Sequence, residues 1–301
     1  MAPCSPRIPS PTWLLGMTDD ELAAFEAHII AVCAEHRGRH WRDFDYRACV
    51  TVESKKLKYF IKFDIPRTLW PEFSTQSYIY DCAKSLCNGP RVPQALHYFE
   101  NQGKAYLVME HIWLRDESPP DLVEKTAEAL NWLSEVPPPS EDLIGPIGGG
   151  LIHHRFFKDN RAPLAFSSVG ALERYMNKGR KLLPGLATEV KPIVITNDPL
   201  IFTQSDMHVS NFGVDQCGNM VLFDFGDIGR LPLSFAKYTM GSHGNGSFIA
   251  RVANLLRWPN LDNSNMFSMA SVSSYLWMKA NPALGLDEDG WPQSKKVKPQ
   301  T

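Results

Sequence analysis

Apolar residues first recur at helical spacing. Thr18-Asp-Asp-Glu21 has the form of a capping box. It predicts a helix to about Arg37, with Leu22, Phe25, Ile29, Val32 and Cys33 along one stripe. The period then falls to two. Residues 46–52 and 57–63 predict a strand pair turned at Ser54-Lys55-Lys56. In the second strand Leu57, Tyr59, Ile61 and Phe63 share one face, and Lys58, Phe60 and Lys62 the other. Ser74 is expected to cap a helix through about Leu86, with Glu72 just before it. Pro90 and Pro93 then break the chain. Residues 95–99 and 105–110 predict a second strand pair around the turn Asn101-Gln-Gly-Lys104.

Beyond Ile112 the pattern turns mostly helical. One helix is expected from Pro119-Pro120-Asp121 to about Val136, where Pro137-Pro-Pro139 stops it. Another runs from about Val169 to Leu183. Residues 140–166 lack periodicity, and a mobile hairpin over a cleft is expected there. A Gly- and Ser-rich loop at 241–247 precedes a helical part rich in Trp and Met. The division expected is a flexible arm at 1–16, an N-lobe at 17–112 ending in a connector at 108–112, a C-lobe at 113–290 and a frayed tail at 291–301. Pattern alone supports an α+β fold in two lobes, the first β-rich and the second mainly helical.

Composition narrows the setting. Hydrophobic residues make up 44% of 301, ample for a core. A net charge of −2 argues against a nucleic-acid or anionic-membrane partner held by bulk charge. No apolar run approaches the ~20 residues of a membrane span. The six cysteines form no C-x-x-C pair and no zinc-finger spacing. A soluble, cytoplasmic protein with reduced thiols is expected.

The chemistry concentrates between Phe202 and Asp227, FTQSDMHVSNFGVDQCGNMVLFDFGD. Asp206 and Asn211 stand five apart, and an apolar strand then delivers Asp224 in Asp-Phe-Gly. Phosphoryl transfer needs a carboxylate near the attacking hydroxyl and oxygen ligands that hold Mg²⁺ against the phosphates. Asp206 fits the first role; Asn211 and Asp224 fit the second. Lys62, in the strand FIKFD, is placed to reach α- and β-phosphates. Asp81 is the best-placed helix acid to pair with it, and Glu72 the alternative. Glu110 and Ile112 in the connector are expected to offer backbone groups to adenine. His208, Asp227 and Gln204 flank the motif as supporting residues. Gly148-Gly-Gly150 lacks the Lys-Ser/Thr of a Walker loop and is not read as a phosphate site. Adjacent His153 and His154 point to opposite faces of a strand and are not read as a metal pair.

These residues resemble the aminoglycoside phosphotransferase-like family, small-molecule kinases that share the protein-kinase fold with choline kinases. The family pattern H-G-D-x-H-x-x-N, then a strand and I-D-F-G/D-W, stands here as Gln204-Ser-Asp206-Met-His208-Val-Ser-Asn211 and Phe223-Asp224-Phe-Gly226-Asp227. The wording FTQSDMHVSNFGV most resembles the uncharacterised fungal versions. The resemblance implies ATP and Mg²⁺ as cofactors, a small-molecule hydroxyl as acceptor, and a nucleotide cleft between two lobes. Two departures stand out. Gln204 replaces the family's His, and no glycine lies between Phe44 and Phe63. The first strand and the Gly-rich loop over the phosphates are therefore expected to be shortened or absent. The leading expectation is an ATP-dependent small-molecule phosphotransferase. The alternative is a kinase-like binding or scaffold protein impaired in catalysis. A protein kinase ranks behind both, because no A-P-E follows Asp224 and Leu231-Pro-Leu-Ser-Phe235 leaves almost no activation loop.

Overall fold

The computed structural model describes residues 17–54, 56–86, 88–115, 119–185, 190–241, 247–259 and 264–293. The arm at 1–16 and most of the tail lie outside the described residues. The first lobe contains α1 (Asp19–His40), β1 (Cys49–Ser54), β2 (Leu57–Asp64), α2 (Pro66–Ser85), β3 (Ala95–Asn101) and β4 (Lys104–Glu110). The second contains α3 (Leu122–Glu135), α4 (Val169–Lys181), β5 (Leu200–Gln204), β6 (Phe212–Val214), β7 (Met220–Leu222), β8 (Ile228–Pro232), α5 (Leu233–Gly241), α6 (Phe248–Ala253) and α7 (Ser264–Trp277). This is the two-lobe α+β architecture expected, β-rich first and helix-dominated second.

Four antiparallel strands in the order β1-β2-β4-β3 build the first lobe. The alternation in β2 decides what each face does. Tyr59, Ile61 and Phe63 pack with Phe25, Ile29 and Cys33 of α1. That helix starts at a formed capping box: Glu21 N–H donates to Thr18 Oγ at 3.2 Å, and Thr18 N–H to Glu21 Oε2 at 2.9 Å. On the other face Phe60 joins Leu69 and Phe73 of α2 with Tyr98, Leu107 and Met109. Lys62 shares that second face. Leu69, Phe73 and Gln76 recur at the spacing of one helix face, so α2 lies against the sheet and closes the inner wall of the lobe.

The helix expected to start at Ser74 starts at Pro66, with Ile65 as N-cap. Proline at the first helical position loses no intrahelical hydrogen bond. Pro71 lies inside the helix, where its missing N–H falls opposite the carbonyl of Arg67. Sequence reading takes such a proline as a boundary; burial of both helix faces overrides it.

The helical lobe has two core clusters. One gathers α3, Ile79 at the far end of α2, β6, β7 and Phe225. The other packs α4 and α7 around Phe156, Phe157 and Phe235. The stretch expected to be a mobile hairpin over the cleft is instead tied down. Gly145 exchanges both backbone hydrogen bonds with Arg230 at 2.8 Å, and Ile147 N–H donates to Thr75 Oγ1 at 3.0 Å. Gly148 sits at φ +87°, and a Cβ there would stand 2.7 Å from Ser74 Oγ. Glycine is required by both the sign of φ and the close approach to α2.

The lobes are stitched beside the connector. Arg91 N–H donates to Met220 O at 2.7 Å, and Leu222 N–H to Arg91 O at 3.0 Å. Among the described residues no helix is long and apolar enough to cross a membrane.

Candidate active site

A cleft of about 520 Å³ opens between the lobes. Its walls bring together Lys62 and Glu72 from the first lobe, Glu110 and Ile112 from the connector, and Asp206, His208, Asn211 and Asp224 from the second. Residues up to 162 apart in sequence thus face one space.

Lys62 is the hub. Its Nζ donates to Glu72 Oε1 at 2.5 Å and to Asp224 Oδ1 at 2.8 Å. The helix acid is therefore Glu72, not Asp81. Because α2 starts at Pro66, Glu72 lies well inside it, facing the sheet, while Asp81 lies more than two turns further along and is exposed. Burial disfavours the Lys62 ammonium, but Glu72 and Asp224 outweigh it and hold the lysine charged. Glu72 is raised from the ordinary carboxylate range, first by burial and then by neighbouring Asp224 and Asp227, with Lys62 opposing. The site thus holds more carboxylates than cations.

Asp224 ends the β7 hairpin in a left-handed conformation, φ 58° and ψ 71°, uncommon for a non-glycine residue. Gly226 follows, and a Cβ there would meet Glu72 Oε2 at 3.1 Å. The Asp-Phe-Gly turn therefore lies flush against α2. Phe225 inserts into the helical core and anchors it.

Asp206 follows β5 on a loop with little regular structure, so side chains fix it. Its Oδ1 accepts from His208 N–H at 3.0 Å, and its Oδ2 from Asn211 Nδ2 at 3.0 Å. Gln204 is fully buried beneath. Its Oε1 accepts from Asp206 N–H at 3.1 Å, and its Nε2 donates to the carbonyls of Asp224 at 3.0 Å and Phe223 at 3.3 Å. One amide thereby ties the Asp206 loop to the turn carrying Asp224. Glutamine can do this because its amide presents donor and acceptor together. His208 caps the short turn Val209–Asn211, with Nδ1 2.7 Å from Ser210 Oγ.

Asp206, Asp224 and Asp227 each present an oxygen within 4.8 Å of the others. This hard-oxygen set fits Mg²⁺. Asn211 spends its amide nitrogen on Asp206, and an amide has its oxygen still to offer. His153 Nδ1 stands 3.7 Å from Asp227 Oδ1. His154 turns away into the core, where Thr239 and the Phe235 carbonyl approach its Nε2. Burial pushes its pKa down to about 3.

At the connector the Glu110 carboxylate is engaged by Arg91, which also donates to buried Asp215 at 2.7 Å. Glu110 N–H donates to Gln94 O at 3.0 Å, so the group Glu110 has left to offer a ligand is its carbonyl. Ile112 lines the same end of the cleft. Sequence reading missed Arg91 and Asp215, whose bond spans the lobes; the signal available was an Asp two residues before Cys217 in a hairpin turn. A second cavity of about 510 Å³ adjoins the first, sharing Asp206 and His208 with it.

No family model matches the sequence, and no curated protein matches it. Solved structures give weak likenesses. An aminoglycoside-3'-phosphotransferase of type VIII is 14% identical, over 80% of this chain and 99% of that one, with a TM-score of 0.45. A spectinomycin phosphotransferase in complex with ADP and spectinomycin is 14% identical, over 79% and 82%, with a TM-score of 0.47. The GDP complex of an aminoglycoside 2'-phosphotransferase is 12% identical, over 80% and 87%, at 0.46. With each score below 0.5, the functional reading rests on the side chains of this protein.

Proposed function

We propose that the chain is an ATP-dependent phosphotransferase of the aminoglycoside phosphotransferase-like family, moving a phosphoryl group to the hydroxyl of a small molecule. The observation that carries this is Lys62 held between Glu72 and Asp224 across a cleft from an oriented Asp206 carboxylate. Lys62 binds the α- and β-phosphates, and Glu72 keeps its ammonium aimed there. The Glu110 carbonyl and the backbone groups of Ile112 meet the base. Asp224 and Asn211, with Asp227 beside them, hold Mg²⁺, which when bound neutralises phosphate charge. Asp206 orients the acceptor hydroxyl and takes its proton as the oxygen bonds to the γ-phosphorus and the bond to the ADP oxygen breaks. The adjoining cavity receives the acceptor. A cytoplasmic setting belongs to the same reading.

A second reading, a binding protein impaired in catalysis, draws on the roof of the cleft. Arg47, Ala48 and Cys49 line it there, and no glycine lies between Phe44 and Phe63 to let backbone close on phosphates.

Melting curves test the first reading. Mg-ATP should raise Tm, and Asp224→Ala should abolish the shift. Absence of any shift at millimolar Mg-ATP in the unaltered protein sinks the nucleotide site. Asp206→Asn should retain the shift and lose transfer; transfer at full rate in that variant removes Asp206 from the base role. Binding without transfer to any hydroxyl compound favours the second reading.

A further inference from the structure

The cavity adjoining the cleft has a charge pattern that selects among acceptors. Among the described residues lining it, the carboxylates are Asp206 and Asp227. The proposed chemistry uses both, one at the hydroxyl and one beside the metal. The remaining ionisable side chains are Arg155, His154 and His208. His154 is locked in its neutral form: its Nδ1 accepts from Phe156 N–H at 3.0 Å, so the ring proton sits on Nε2. Among the described residues, an acceptor bearing several ammonium groups would therefore meet no acid beyond the two already engaged, and burying an unpaired ammonium is costly.

Arg155 is the cation set into this wall, and its backbone is fixed from both sides. The His154 ring before it is anchored at Phe235 and Thr239, and the Phe156 ring after it is fully buried. His154 N–H donates to Asn160 O at 2.8 Å, closing a loop in which Asp159 and Asn160 both sit at left-handed φ, 54° and 56°. A guanidinium carries five N–H donors, so it can hold a neighbour in the protein and an incoming anion together.

We infer that the acceptor carries an anionic group, a carboxylate or a phosphate, which Arg155 holds while a hydroxyl of the same molecule lies against Asp206. This rests on the phosphotransferase reading of the cleft, but its test needs no turnover. Melting curves of the full chain are recorded with D-glycerate, glycerol 3-phosphate, glycerol and kanamycin at millimolar concentration. The two anions should raise Tm, and kanamycin and glycerol should not. Arg155→Gln should raise the half-saturating anion concentration about ten- to a hundredfold, the range for a lost charged hydrogen bond. Arg155→Lys should recover part of the response, and cooperative unfolding of both variants shows that they fold. The inference is overturned if neither anion shifts Tm, if kanamycin shifts it more than the anions, or if Arg155→Gln responds as the unaltered protein does. Mg-ATP is read alongside. A nucleotide shift without an anion shift overturns the acceptor class alone; an anion shift without a nucleotide shift overturns the kinase reading alone.

Discussion

Replacing Gln204 by leucine removes one amide that serves two sides of the site. The side chain is fully buried, so water cannot take over its bonds. Two contacts are well formed, at 3.1 Å from Asp206 N–H and 3.0 Å to Asp224 O; the third, to Phe223 O, is longer at 3.3 Å. A buried backbone group left without a partner costs about 1–3 kcal/mol. Counting the two good bonds, Gln204→Leu should lose about 2–6 kcal/mol in urea denaturation. Leucine is close in size, so packing contributes little to that figure. The loss should be unevenly felt: the loop carrying Asp206 and the turn carrying Asp224 come apart, so the Tm rise with Mg-ATP should shrink as well. Gln204→His, the residue at this place in the pattern the motif resembles, should retain most of both. A Gln204→Leu protein within about 0.5 kcal/mol of the unaltered one, with an undiminished Mg-ATP response, refutes the claim that this amide holds the site together.

Three further outcomes follow from the same geometry. Lys62→Met leaves Glu72 buried beside Asp224, and should cost about 3–5 kcal/mol at alkaline pH. Glu72 then has a folded pKa above its unfolded value, so its contribution is present at low pH and lost as pH rises through the folded pKa; the deficit should shrink on acidification, and a pH-independent deficit in urea titrations argues against the buried pairing. His154 behaves oppositely: with a folded pKa near 3 against 6.5 unfolded, it stays neutral while the unfolded chain binds a proton between those values, so stability falls with pH across that window. Going from about pH 7 to about pH 5.5 should cost about 1.2 kcal/mol more in the unaltered protein than in His154→Gln, and equal slopes contradict the assignment. Gly148→Ala combines a positive φ with a 2.7 Å approach to Ser74 Oγ, and should lose about 1–3 kcal/mol by the same assay; neutrality would show that the 145–150 segment is free of α2.

The strands of the first lobe were legible because their period-two pattern is also their burial pattern: Tyr59, Ile61 and Phe63 are buried in alternation with Phe60 and Lys62. Asp206, Asn211 and Asp224 could be singled out because spacing within 19 residues implied a shared site. The helix acid was misjudged for a local reason. Ser74 resembles a helix start, and only tertiary packing against the sheet reveals that the helix runs through it. That shift moved Glu72 from a flank to an interior position. The 145–150 segment was misread similarly, since its glycines suit mobility and close approach equally, and only the neighbour α2 decides. Arg91 and Asp215 carry no sequence signal linking them across 124 positions.

The charged groups explain why the site exists only when the lobes are together. Lys62 and Glu72 form a pair within the first lobe, yet Lys62 gains its second carboxylate from Asp224 of the other. On the second lobe, Asp224 is fixed by Gln204 and by Phe225 buried in the helical core. Each lobe therefore presents an incomplete charge set, and the cleft between them completes it. A rigid link beside the connector keeps them in register, through Arg91 to Glu110 on one side and to Asp215 on the other. With Lys62 facing Glu72, Asp224 and two further carboxylates, the completed set is net negative. That excess favours a divalent cation before it favours a polyphosphate, so an anionic nucleotide should bind weakly alone and well with Mg²⁺. The chemistry assigned to Asp206 then depends on residues beyond its own carboxylate contacts: the lobe contact sets Lys62, Lys62 and Gln204 set Asp224, and Gln204 sets the loop on which Asp206 stands.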